Sequence, residues 1–159
     1  MASRGGTWPD DRFETTYMEA RSVIESQNDT MADIDNKAMQ TVRLNTVLIG
    51  LLLATANATS PRIFQSYSFG VSIVALTVSV FLGLVTYNES DLFVGPSGEY
   101  IEELVAGGTG RPWHEDLLET FAGMISENGS EIDRSSWLLT ATQVLLVLGI
   151  VAAIASVVI

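Results

Sequence analysis

Three stretches of the chain contain no charged side chain: Leu44–Pro61, Ile63–Asn88 and Ser135–Ile159. A helix crosses the roughly 30 Å apolar core of a bilayer with about 20 residues. The second and third stretches are long enough by themselves. The first becomes long enough if the side chain of Arg43 reaches back to the interface. We therefore predict three transmembrane helices, in preference to a buried soluble helix in the first stretch.

A second pattern begins ahead of the first stretch and continues into it. Apolar, small and amide side chains recur at spacings of four and three over residues 13–52. No proline or glycine interrupts Phe13 to Leu48, so the pattern predicts one long helix that runs into the membrane. Its repeating face, called the seam below, must pack on the chain's own second cytoplasmic segment or on a second copy. The seam residues are Phe13, Tyr17, Ala20, Ile24, Gln27, Met31, Ile34, Ala38, Thr41, Asn45, Leu48 and Leu52.

Between the second and third stretches, the sequence predicts two amphipathic helices. The first is EYIEELVAG, which Gly107–Gly110 ends, and the second starts at Pro112, a residue suited to a first helical turn. Asn128-Gly129 predicts the end of the second helix. A separate helix, Ser130–Ile159, would then form the third span.

These elements predict an all-α membrane protein. It has three transmembrane helices, a long N-terminal cytoplasmic helix and a two-helix cytoplasmic insertion between spans two and three. The predicted parts are a flexible N-terminus at 1–12, an amphipathic helix at 13–43, a transmembrane hairpin at 44–88, a cytoplasmic helical segment at 89–134 and the third span at 135–159.

The positions of the basic residues predict the orientation. Of the eight lysines and arginines, all except Arg62 lie before the first span or between spans two and three. The positive-inside rule places these segments in the cytoplasm. We expect a multi-pass protein of the plasma membrane, with a cytoplasmic N-terminus and the C-terminus outside.

The composition fits separate charged and apolar segments. The chain has 19 acidic residues and a net charge of -11, yet 47% of it is hydrophobic and its mean hydropathy is +0.30. This argues against an ordinary single-core globular protein. The negative field would repel phosphate, so no nucleic acid polymer is expected as a partner. Acid excess with a single lysine is typical of salt-adapted, haloarchaeal proteins.

Little in the sequence indicates catalysis. The absence of cysteine excludes a disulfide scaffold, a cysteine zinc site and a thiol enzyme. His114, the only histidine, has no serine or second ligand placed with it, and the Gly107–Gly110 run lacks the lysine of a P-loop. We predict no catalytic residue, no metal site and no cofactor, and hence no enzyme.

Four residues are candidates for helix packing or for contacts in a homo-oligomer. Gln27 lies on the seam, and Gln143 is the best candidate in the spans for an interhelical hydrogen bond to a partner. Gly149 and Ala153 are small residues four apart, which permits close helix contact. Packing within one protomer and contact between protomers are both open.

The order of these elements resembles the Pycsar effector transmembrane family (PycTM) and, more distantly, SLATT-type membrane effectors. The most recognisable part is a motif before the first span, formed here by Asp35, Lys37 and Ala38. Arg134 stands where the family usually has a lysine before the last span. The resemblance covers roughly residues 15–159.

The resemblance implies an antiviral effector. It implies that a cyclase makes a cyclic pyrimidine mononucleotide after infection, that the effector responds and that the lipid bilayer is disrupted. The mechanism that we favour for this response is assembly of a homo-oligomer. Binding such a ligand requires a cation or helix N-terminus for the phosphate and an aromatic surface for the base. Arg111, Trp113 and His114, at the helix start after Pro112, offer both, and we predict them as the phosphate-binding corner.

An alternative interpretation gives the chain a function of a different class. It would be a non-catalytic structural or assembly membrane protein, or a subunit of a complex, for example a viral one, with no ligand. Gene neighbourhood distinguishes the two readings, because a nucleotide cyclase gene beside this one favours the effector. A transporter subunit is disfavoured, since no charged residue is embedded in the spans and no inverted repeat is present.

Overall fold

The computed structural model is helical throughout its regular structure. It describes residues 8–59, 67–88, 91–108 and 110–158. These residues form four helices and no strand, namely α1 (Asp11–Thr59), α2 (Tyr67–Asn88), α3 (Gly98–Ala106) and α4 (Trp113–Val158). Helices α1, α2 and α4 are long and apolar enough to cross a membrane. The all-α class and the three candidate spans are thus confirmed.

Helix α1 has the continuity that the seam predicts. It begins at Asp11, where the Asp10 side chain accepts a hydrogen bond from the Arg12 amide at 3.0 Å. It then runs unbroken to Thr59. Every seam residue is buried or half-buried. A helix of this length is held by packing of one face more than by intrinsic propensity.

Helix α4 is also continuous, and the predicted stop at Asn128-Gly129 is wrong. The helix runs from Trp113 to Val158. Asn128 is 1% exposed, and its amide bonds the Phe93 backbone instead of ending the helix. It donates to the Phe93 carbonyl at 2.9 Å and accepts from the Phe93 amide at 2.8 Å. The predicted insertion is therefore α3 plus the first part of α4.

The chain divides into two compact units. The first comprises Met1–Thr30 and Asp91–Ile132, and the second Met31–Ser90 and Asp133–Ile159. Helices α1 and α4 contribute to both. Residues 31–43, predicted as part of the cytoplasmic helix, belong to the second unit.

The first unit has a conventional apolar core. Ile24 of α1 packs with Leu117 and Phe121 of α4, and α3 contributes Tyr100 and Leu104 to the surrounding layer. Gln27 donates from Nε2 to the Ile125 carbonyl at 3.0 Å. In this unit the seam therefore packs on the chain's own second segment, which was the first of the two alternatives.

Among the residues of the second unit that are less than 2% exposed, all except Leu76 are small or polar. These small and polar positions recur every seven residues, the spacing of helices wound into a left-handed bundle. Large apolar side chains such as Phe81 (66% exposed) lie on the outside, as expected for helices surrounded by lipid. The buried positions are Ala38 and Asn45 on α1, Ser72, Ser79 and Thr86 on α2, and Ser135, Thr142, Gly149 and Ser156 on α4.

Two glycines let these helices approach closely. A Cβ on Gly149 would lie 2.6 Å from Leu76 Cδ2, and a Cβ on Gly83 would lie 2.6 Å from Val42 Cγ2. Both distances are shorter than normal van der Waals contact. Gly149 therefore lies against Leu76 of the same protomer.

We predict that Gly149→Ala destabilises the second unit, because Leu76 is 1% exposed and has little room to move. Overpacking of this kind costs about 1–3 kcal/mol. The matched control is Gly70→Ala on α2, where no atom lies within 4 Å of an added Cβ. Both changes gain the same helix propensity, so unfolding in detergent should separate them by about 1–3 kcal/mol. Equal stability of the two variants would contradict the packing described here.

Candidate functional site

The predicted phosphate-binding corner at the start of α4 is less free than its sequence suggests. The Arg111 guanidinium forms an ion pair with Glu119. Glu115 and Asp116 occupy the first turn of α4. An anion approaching this helix start would therefore meet two carboxylates and a cation that is already paired.

Trp113 and His114 belong to an aromatic cluster. The ring centroids of Trp113 and Trp8 are 4.7 Å apart, and those of His114 and Phe13 are 4.4 Å apart. Tyr17 continues the cluster, 5.3 Å from Trp8. Such pairs stabilise packing through burial and quadrupole geometry. The structure thus brings Trp113 and His114 together, with their rings engaged in packing, and their role in ligand binding stays a prediction.

A different concave site lies along α1 in the first unit. It is an open groove of about 570 Å³, within the usual size range of small-molecule sites. Its lining comes from α1, from the chain segment before α3 and from Phe121 of α4. The lining residues are Tyr17, Arg21, Ile24, Glu25, Asn28, Asp29, Val94, Gly95, Pro96 and Phe121.

The groove combines one cation with aromatic and acidic groups. The exposed Arg21 guanidinium lies 6.0 Å from the Tyr17 ring centroid. The Tyr17 and Phe121 rings meet edge to face, with centroids 5.5 Å apart. Glu25 and Asp29 follow Arg21 at spacings of four, which places all three on one face of α1. The groove therefore offers a cation for a phosphate, the Tyr17 ring for a base, and acceptors for hydroxyl or amino groups.

Two contacts hold the segment Val94–Pro96, which lines the groove. The paired hydrogen bonds between Asn128 and the Phe93 backbone fix the chain immediately before Val94. Immediately after Pro96, the Ser97 side chain caps α3 by accepting from the Tyr100 amide at 3.2 Å. Sequence reasoning missed Asn128, since asparagine before glycine usually ends a helix.

Helices α3 and α4 are joined by a hydrogen bond from the Tyr100 hydroxyl to Asp116 Oδ2 at 2.7 Å. Burial of Tyr100 raises the pKa of its hydroxyl above the ordinary value of 10.0, and the neighbouring Asp116 carboxylate raises this pKa further. A hydrogen bond from Thr120 acts in the opposite direction on the same pKa.

In the second unit a chain of hydrogen bonds joins all three long helices. Asn45 Nδ2 of α1 donates to Ser79 Oγ of α2 at 2.7 Å, and Ser79 Oγ donates to the Thr142 carbonyl of α4 at 2.7 Å. Ser72 donates to the Gly149 carbonyl at 2.8 Å. All the side chains involved are fully buried. We refer to Asn45, Ser79 and Thr142 as the central layer.

The other predicted residues have varied settings. Gln143 follows Thr142 but is exposed, so its contact with a second copy stays a prediction, while Ala153 is half-buried. In the family motif, Asp35 is half-buried, Lys37 is exposed and Ala38 is 0% exposed. Ala38 therefore serves packing: its carbonyl oxygen lies 3.5 Å from the position of a Cβ on Gly83.

Comparison of the chain with models of known protein families, with curated proteins and with solved structures gave no match. The resemblance to the Pycsar effector transmembrane family is thus still a prediction from the order of the elements.

We predict that the Tyr100–Asp116 bond stabilises the first unit only below strongly alkaline pH. The folded-state pKa of Tyr100 is raised, so its contribution is full below the unfolded value of 10.0. It is lost as pH rises through the folded-state pKa. At pH 8, Tyr100→Phe should therefore reduce the free energy of unfolding by about 0.5–1.5 kcal/mol.

The measurement is thermal unfolding in detergent at pH 8 and at a series of alkaline pH values. The difference between wild type and Tyr100→Phe should shrink as the pH rises through the folded-state pKa of Tyr100. Tyr67→Phe, which alters a side chain that is 88% exposed, is the control and should change stability by less than about 0.5 kcal/mol. A Tyr100→Phe difference that persists at high pH would show that ionisation is irrelevant.

Proposed function

We propose that this chain is a membrane effector that responds to a cyclic pyrimidine mononucleotide by self-association and disruption of the plasma membrane. In this proposal the first unit is cytoplasmic and binds the nucleotide, and the second unit crosses the bilayer. Two observations support the placement: the distribution of basic residues, and the three helices with the length and composition of membrane spans.

The observation that carries the proposal is the groove along α1. A cyclic pyrimidine mononucleotide has one negative phosphate, one flat base and one free ribose hydroxyl. The groove presents groups suited to each: Arg21 for the phosphate, Tyr17 for the base, and Glu25 or Asp29 for the hydroxyl. Arg21 makes no ion pair with any described residue, unlike Arg111, so the groove fits the ligand better than the predicted corner does.

Helices α1 and α4 belong to both units, and this supports a change in the spans when a ligand binds in the first unit. Tyr17 and Arg21 are on α1 and Phe121 is on α4. Both helices continue unbroken into the second unit. A ligand shifts an equilibrium between two states only by its differential affinity for them. We propose that it favours the state in which the spans of several copies associate, with Gln143 and the exposed apolar faces in contact.

The non-catalytic structural or assembly protein is the competing reading. Such a protein needs the three spans and the packed first unit, but it needs no groove containing an exposed cation. It also predicts that no nucleotide binds and that membrane potential is insensitive to a cyclase. These are the outcomes that the two tests below separate.

We expect the purified full-length chain to bind labelled cyclic UMP or cyclic CMP, and Arg21→Ala to weaken binding roughly 10- to 100-fold. That range corresponds to the loss of about 1.5–3 kcal/mol for a hydrogen bond to a charged group. Arg12→Ala, which removes the same charge from α1 outside the groove lining, is the matched control and should bind as wild type does.

The same titration with Arg111→Ala decides between the two candidate sites. Affinity equal to that of wild type favours the groove. Weak binding by Arg111→Ala with normal binding by Arg21→Ala would instead identify the corner of Arg111, Trp113 and His114. If the wild-type chain binds neither nucleotide, the structural reading is favoured.

In cells, we expect expression together with a pyrimidine nucleotide cyclase to depolarise the membrane, as reported by a potential-sensitive dye. Expression without the cyclase should leave the potential unchanged, because the unliganded state does not assemble. Arg21→Ala serves as the matched variant and should stay silent in both conditions. Depolarisation that does not depend on the cyclase would rule out ligand gating.

A further inference from the structure

Arg43 lies deeper among the spans than the other charged residues described in the second unit. It is two residues from Asn45 on α1, which places it about 3 Å along the helix axis from the central layer. On α4 the first charged residue is Arg134, eight residues from Thr142 and therefore about 12 Å from the same layer. On α2 no charged residue follows Ser79 through Asn88. Along the helix axes, Arg43 is thus roughly 9 Å nearer the central layer than Arg134 is.

Arg43 finds no carboxylate at this depth. It is exposed, and it forms no ion pair with any described residue. The three uncharged stretches that flank this level contain no aspartate or glutamate. A second copy of the chain has the same stretches, so it too lacks an acidic partner for Arg43 in the apolar zone. The counter-anion must therefore come from outside the protein.

The neighbouring side chains on α1 form a polar path from Arg43 toward the end of the apolar zone. Gln40 is three residues before Arg43, and Lys37 is three residues before Gln40; all three are exposed. Side chains on a helix lean toward its N-terminus, which here is the direction in which charged residues resume. Lys37, eight residues from Asn45, lies at about the depth of Arg134.

Arginine and lysine near the end of a span extend their charged groups to the bilayer interface. The anion present there in every phospholipid bilayer is the lipid phosphate. A guanidinium binds phosphate through paired N–H donors, and an exposed amide beside it adds a further donor. Asp33, four residues before Lys37, offsets the Lys37 charge, so Arg43 carries most of the attraction.

We propose that Lys37, Gln40 and Arg43 bind the phosphate of an anionic phospholipid at the interface on the side of the α1 N-terminus. The site rests on the proposed membrane crossing but is independent of nucleotide binding. It gives the exposed polar face of α1 a lipid headgroup as its partner at the interface, which Arg43 reaches by extending its side chain from deeper in the span.

The test is binding of single lipids to the full-length chain in mild detergent, followed by native mass spectrometry. Wild type should bind phosphatidylglycerol more tightly than phosphatidylcholine. Arg43→Gln should weaken phosphatidylglycerol binding about fivefold, the effect expected of one basic residue at an anionic surface. Arg12→Gln makes the same change in net charge at the other end of α1 and should bind as wild type does. Arg43→Lys should retain most of the affinity.

Four results would overturn the proposal. One is equal lipid affinity of Arg43→Gln and wild type, and another is an equal fall in Arg12→Gln, which would reduce the effect to net charge. The third is a change in oligomeric state of Arg43→Gln with unchanged lipid affinity, which would assign this face to a second copy. The fourth is displacement of the lipid by millimolar inorganic phosphate, which would identify a free-phosphate site instead. Nucleotide binding by Arg43→Gln, measured in parallel, shows whether the groove acts separately.

Discussion

The buried hydrogen bonds of the central layer are the constraint on which the second unit depends. In lipid, burial of apolar side chains gives no drive for helix association, so close packing and polar contacts must supply it. Asn45 donates to Ser79 and Ser79 donates to the Thr142 carbonyl, a directional order that fixes the relative level of all three helices. Measured values of about 0.6 kcal/mol per such contact, up to about 1.7, are modest. The close contacts at Gly83, Ala38 and Gly149 add van der Waals packing to these hydrogen bonds.

The first unit is held by different forces. There Ile24, Leu117 and Phe121 form a core that burial from water stabilises, and aromatic pairs link α1 to the start of α4. A single seam on α1 serves both environments: its residues change from aromatic and aliphatic to small and polar as the helix enters the second unit. Hydrogen bonds of polar side chains also join the elements of the first unit. Asn128 and Tyr100 tie the segment before α3, and α3 itself, to α4.

Much of this fold was predictable, because its strongest signals are periodic or compositional. Charge-free stretches indicated the spans, and an uninterrupted 4,3 spacing indicated α1. The break at Gly107–Gly110 also ended α3 as expected. The predicted helix end at Asn128-Gly129 was wrong because the two buried hydrogen bonds of Asn128 to Phe93 outweigh the local tendency of asparagine to end a helix. The sequence predicts Gln143 as the residue for an interhelical hydrogen bond, whereas its neighbour Thr142 is the buried one. Serine, threonine and glycine at intervals of seven mark the buried positions on α2 and α4. The groove was not predictable, since its walls come from segments far apart in sequence.

The seven-residue repeat of α4 has a consequence for how this chain can vary. Phe121, Asn128, Ser135 and Thr142 are all buried at successive intervals of seven, so the apolar core and the polar interior share one helical phase. Inserting a single residue between Asn128 and Ser135 would turn everything beyond it by about 100° and expose one set or the other. Between these two positions, a length change therefore keeps both sets buried only if it adds or removes a nearly whole number of helical turns, such as seven residues.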